Sequence, residues 1–208
     1  MKAAQIKIGI PKIVSNAVSL YSDATLLATN NRIERAFTLY QLSIEELGKA
    51  FILLRYLLFE NTDEKKTQIQ LRKDLKNHQV KSKYSIGLDF LIQGFIKTID
   101  PDKYESLVFK SLNEHINIGA INEKKNQSLY VSFNGNKFLL PSECISTKNV
   151  EEIKNKAGSR IFIAKNVFMP IIENISYLKE KMAGFELDKS RISKEQQDEF
   201  VRIITKFK

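Results

Sequence analysis

Apolar residues recur at three- and four-residue steps through most of the chain. From Pro11, placed to open a helix in its first turn, Ile13, Ala17, Leu20, Tyr21, Ala24, Leu27 and Ala28 keep that rhythm until Asn30 and Asn31. The spacing predicts one long amphipathic helix. A second run, from about residue 33 to 59, puts Phe37, Tyr40, Ile44, Leu47, Phe51, Leu54 and Leu58 on one stripe. The two stripes predict an antiparallel pair. The far side of the second helix is also greasy, with Leu39, Leu42, Ile52, Leu53 and Leu57. A helix apolar on both sides belongs in the middle of a bundle.

Residues 60–63 break the pattern, and Thr62 is placed to cap a third helix. Helices are expected on both sides of His78, with a bend there. Asp100-Pro101-Asp102 ends that run and starts a helix from about 103 to 126. The period then changes. LYVSFNGNKFLLP alternates, and Asn134-Gly135 marks a tight turn, so a hairpin is expected with strands near 129–133 and 137–140. Ser146 or Thr147 can cap a further helix reaching roughly residue 182, kinked or split at Pro170. Ala183-Gly184 closes it, and Ser193 can cap a last short helix. The fold class expected is all-α: a helical bundle over 1–182 with a small β-hairpin insertion near 129–140, then a C-terminal helical extension over 183–208.

Composition adds bounds. The 208 residues are 43% hydrophobic, enough for one packed core. Lys and Arg total 33 against 24 Asp and Glu, a net charge of +9. That balance suits an acidic partner such as RNA, and it serves solubility equally well. A single cysteine, Cys144, excludes an intrachain disulfide framework and a Cys-rich zinc site. No stretch nears ~18 uninterrupted apolar residues, and MKAAQIKIGIPKIV carries no long apolar run. Neither a membrane span nor a signal peptide is expected, and the expected location is the cytoplasm. Glycine-rich phosphate loops, GxSxG and GxGxxG are absent, so kinase, P-loop ATPase, hydrolase and dehydrogenase readings lack support.

The candidate chemistry lies in charged residues set among apolar ones. LSIEELGKAFIL, residues 42–53, carries Glu45, Glu46 and Lys49 on the otherwise greasy second helix. Charges there need a partner or a use. Glu45 and Lys49 stand four apart, the favourable order for a helical ion pair on a solvated edge. Gly48 weakens the helix and can admit a neighbour closely. His78, in LRKDLKNHQVK, has Arg72 before it and Lys81 after it. Such a histidine can act as a base toward a ribose hydroxyl, with Arg or Lys steadying phosphate charge. A surface histidine on a basic helix fits the spacing as well. His115 reads as structural. Two histidines without an HExxH arrangement give no metal site, and no cofactor is implied.

Three pieces occur in order: EELGKA at 45–50, HQVK at 78–81 and KNQSLYVSFNG at 125–135. Together they resemble the abortive infection protein V family, AbiV, within the HEPN superfamily, over roughly residues 12 to 165. The resemblance implies a HEPN-like helical bundle and an effector of phage defence that arrests growth of infected cells, acting on RNA or the translation machinery once a phage-encoded activator engages it. It also implies a homodimer, and many relatives are metal-independent ribonucleases using an Arg and a His four to six residues apart. Its polar positions fall here on Glu45, Glu46, Lys49, His78, Lys81 and Lys125. On this reading His78, Arg72, Glu45 and Lys49 are the catalytic candidates, and Glu46, Lys81 and Lys125 the binding ones. The chain departs from the superfamily pattern: the late helix carries Arg160 without a histidine. Arg72 and His78 satisfy the spacing, but about 600° of rotation separates them on a straight helix. The alternative is a non-enzymatic RNA- or protein-binding module of a phage-defence or toxin–antitoxin system.

Overall fold

The computed structural model describes residues 2–59, 64–99 and 101–182. Helix α1 runs from Ala3 to Thr29 and α2 from Ile33 to Phe59, 27 residues each. They pair along their length as expected. Ser43 Oγ donates to the Ala17 carbonyl at 2.7 Å, and Tyr21 meets Tyr40 edge-on at 5.1 Å. Contrary to expectation, α1 starts eight residues before Pro11, which lies inside it. A proline removes one bond to the carbonyl four residues back. Burial of Ile6, Ile10 and Val14 on the same stripe outweighs that loss.

The second helix is central: α1, α4 and α8 all pack on it. Helix α3 spans Lys65–Lys76 and α4 spans His78–Ile99. The break between them falls at Asn77, whose backbone is extended and whose Oδ1 accepts from Val80 N at 3.1 Å. This caps α4 and puts His78 at its first position. The Thr62 cap lies outside the described residues.

The helix expected over 103–126 is two: α5, Pro101–Ile116, and α6, Ile118–Gln127. Asn117 interrupts them, its side chain donating to the Asn113 carbonyl at 2.8 Å. Asparagine competes in this way for backbone groups. The hairpin forms, with shorter strands than expected: β1 is Ser132–Phe133 and β2 is Phe138–Leu139. Asn134 Oδ1 accepts from the amides of residues 136 and 137, and Gly135 takes the positive φ of +91° that the turn requires.

A short helix α7, Pro141–Cys144, leads to α8, Thr147–Ile163. Ser146 caps α8 through Asn149 N at 3.3 Å. A π-turn over Ala164–Phe168 follows, then α9, Met169–Glu173, and α10, Ile175–Met182. Pro170 is accommodated just after the wide π-turn, and the chain breaks at Asn174 instead. The helix expected from Ser193, and the extension over 183–208, lie outside the described residues. The core forms two clusters. One centres on Leu47, Leu54, Leu57 and Phe168, the other on Ala24, Phe37, Tyr40 and Ile44. Among the described residues the structure is all-α with one small hairpin.

Candidate functional site

One residue round from the apolar stripe of α2 runs a second, polar line: Thr38, Gln41, Glu45 and Gly48, at steps of three, four and three. All four are buried. They face α4 and α6. Thr38 Oγ1 lies 2.6 Å from Ser128 Oγ, and Gln41 Nε2 donates to Ser82 Oγ at 3.3 Å. At Gly48 the helices nearly touch. A β-carbon there would fall 1.8 Å from the Lys81 carbonyl oxygen. Gly48 therefore lets α4 approach until its first turn reaches Glu45.

Glu45 is the hub. Its Oε2 lies 2.5 Å from His78 Nδ1, its Oε1 accepts from Lys125 Nζ at 2.7 Å, and Lys81 Nζ stands 3.9 Å from Oε2. The Glu45 side chain is 3% exposed, Lys125 8% and Lys81 10%, whereas His78 is 55% exposed. One sealed carboxylate thus joins α2, α4 and α6, and the imidazole is its opening to solvent. An ionised carboxylate only accepts, so the imidazole donates from Nδ1. In the neutral ring this places the proton on Nδ1 and the lone pair on Nε2. No other described residue bonds the ring.

Burial strips Lys81 of solvation and lowers its pKa. Glu45 offsets part of this, and Lys49 and Lys125 add to the lowering. Lys81 and Lys125 gather around the single Glu45 carboxylate, so the cluster carries surplus positive charge before His78 is counted. It can present a ring nitrogen as a base beside ammonium groups, a set suited to a phosphodiester.

The remaining candidates stand apart. Lys49 pairs with Glu46 at 2.7 Å rather than with Glu45, and Glu46 also accepts from Asn16 Nδ2 on α1 at 3.2 Å. Position 49 lies about 40° from 45 and about 60° from 46 on the wheel. Glu45 is already engaged on the inner side, so Lys49 closes on the outer carboxylate. Arg72 is exposed on α3 and makes none of the cluster's bonds. The break at Asn77 puts Arg72 and His78 on two helices, and the structure does not join them. His115 is exposed at the end of α5. Among the described residues, no group of three or more His, Cys, Asp or Glu is placed to hold a metal ion.

A second ionic cluster was not anticipated. Arg160 on α8 is 0% exposed. Its Nε and Nη2 bond both oxygens of Asp89 at 3.1 and 2.5 Å, Nη2 also reaches Glu114 at 3.0 Å, and Nη1 donates to Ser85 Oγ at 2.9 Å. Lys156 completes it, 2.8 Å from Glu114. Burial works against the guanidinium's proton, but Asp89 and Glu114 more than restore it, and the Arg160 pKa is raised. This cluster ties α4, α5 and α8 together.

No described helix is long and apolar enough to cross a membrane. No curated protein and no solved structure matches the chain. The HEPN_AbiV family model, described as AbiV, matches residues 5–161, a stretch that contains every member of both ionic clusters. The chain belongs to the AbiV family of HEPN proteins, a membership that points to a role in phage defence by abortive infection.

Proposed function

We propose that the protein arrests growth of infected cells by acting on RNA through the Glu45 cluster. The single observation behind this is the 2.5 Å contact between Glu45 and His78 Nδ1, which frees Nε2 on a half-exposed ring beside Lys81 and Lys125. In this reading Nε2 takes the proton of a ribose 2′-hydroxyl. The oxygen attacks the adjacent phosphorus, and the 5′-oxygen leaves with a proton from Lys81. The products are a cyclic phosphate and a 5′-hydroxyl. Lys81 suits the acid's role because burial has already weakened its hold on the proton. Lys125 holds the second carboxylate oxygen and keeps Glu45 turned toward the ring. No metal is needed. A homodimer, a phage-encoded activator and a cytoplasmic site of action belong to the same proposal.

The test incubates purified protein, and protein recovered from phage-infected cells, with total RNA, using His78→Ala as the control. Cleavage that disappears in the variant supports the reading. Intact RNA under both conditions overturns it. The second reading, a non-enzymatic binding module, draws on the near-complete burial of Lys81 and Lys125. It requires intact RNA together with a persistent RNA or protein complex.

A further inference from the structure

The buried hydroxyls at the N-terminal end of the polar line have no role in the chemistry above. Thr38 lies seven residues before Glu45, two turns along the same face of α2. Its hydroxyl meets Ser128 Oγ at 2.6 Å, and Ser128 Oγ donates to the Lys125 carbonyl at 2.5 Å. Ser128 is 0% exposed and Thr38 3% exposed. Ser128 Oγ gives its proton to the Lys125 carbonyl, so in the Thr38–Ser128 pair Thr38 is the donor; the Glu34 carbonyl, 3.3 Å away, is the other acceptor within its reach. Ser128 follows the last residue of α6, and its amide bonds the Lys124 carbonyl at 3.0 Å. The Lys125 carbonyl is thus bonded by Ser128, which Thr38 of α2 contacts in turn, and the Lys125 ammonium is bonded by Glu45, also on α2. Fixing the backbone at Lys125 sets the point and direction from which its long side chain starts, so the backbone part of the ordering cost no longer opposes the contact.

We propose that Thr38, acting through Ser128, is a positioning residue that holds Lys125 on Glu45. This rests on the reading of the Glu45 cluster as the working site, and the experiment separates the two. The full-length chain is treated with a limiting amine-acetylating reagent, and modification at each lysine is quantified by mass spectrometry. In Thr38→Val and Ser128→Ala, Lys125 should be labelled about tenfold faster than in the wild type, as expected when a hydrogen-bonded restraint is lost. Thr38→Ser keeps the hydroxyl and should restore wild-type labelling. Lys156, tied to Glu114 in the other cluster, reports general unfolding and should not change. Lys137, 65% exposed, calibrates the reagent. Wild-type labelling of Lys125 in Thr38→Val overturns the proposal, whatever Ser128→Ala does. So does faster labelling of Lys125 and Lys156 together, which marks a merely structural role. Phage plating is the second readout. If Lys125 is released selectively while Thr38→Val and Lys125→Met still protect cells, the positioning stands and the functional reading of the cluster fails.

Discussion

Two ionic clusters among the described residues, each built on a buried charge, use similar side chains to different ends. Around Arg160, two cations meet two carboxylates, charge balances, and the guanidinium is sealed. Around Glu45, one carboxylate faces two lysines and a histidine, charge does not balance, and the histidine reaches solvent. A charge-balanced network has little left to offer a ligand, even with Asp89 and Lys156 partly exposed at its edge; an unbalanced one has more. Burial of charge alone therefore does not mark a candidate site; surplus charge is what separates the two clusters.

The contrast is most exposed at Arg160. Arg160→Met leaves Asp89 and Glu114 short of their main partner in a buried place, and should cost about 3–5 kcal/mol. Chemical denaturation would measure it. A near-neutral result would mean that the cluster holds nothing together. Next is Gly48→Ala. Its methyl cannot fit against the Lys81 carbonyl, so α2 and α4 must part. The expected loss is about 1–3 kcal/mol, with phage resistance gone, whereas the exposed His78→Ala should remove resistance at little cost in melting temperature.

The two clusters should also part company with pH. Burial works to raise the Glu114 pKa, but Arg160 and Lys156 overcome it, so the folded carboxyl lies below its ordinary value. A carboxyl lowered in the folded state contributes stability above its unfolded pKa and loses it as pH falls through the folded one. Melting temperature should drop below about pH 4, and less steeply in Glu114→Gln. Lys81 has the opposite sense. Its folded pKa is lowered, so between that value and the ordinary 10.5 the unfolded chain holds more protons. Its contribution to stability therefore rises with alkaline pH, and Lys81→Met should abolish that rise. The smallest effect belongs to Lys49→Ala. An ion pair at the edge of α2 contributes a few tenths of a kcal/mol, and resistance should stay within about tenfold of wild type. A greater loss in plating assays would place Lys49 inside the working site.

How far these features were legible in the sequence depends on how local their cause is. The stripe of α2 and the Asn134-Gly135 turn are written in adjacent residues, and both elements appear where expected. Pro11 misled because a local rule about proline says nothing of Ile6 and Ile10 being buried by distant helices. Glu45, His78, Lys81 and Lys125 were brought together by resemblance to a family, not by periodicity. Thr38 and Gln41 had a usable signal, polar positions at steps of three and four beside an apolar stripe, and it went unread. Arg160 had none. Its partners Asp89 and Glu114 lie 71 and 46 residues away, and each resembles an ordinary solvated charge in its own helix.

Lys125 comes from a helix some eighty positions after the carboxylate it meets. A fragment that stops before α6 would keep the EELGK segment and the histidine. It would nonetheless leave one oxygen of Glu45 without its ammonium partner. Shortened versions of the protein are consequently unsuitable for judging what the imidazole can do; their silence would report a missing ammonium.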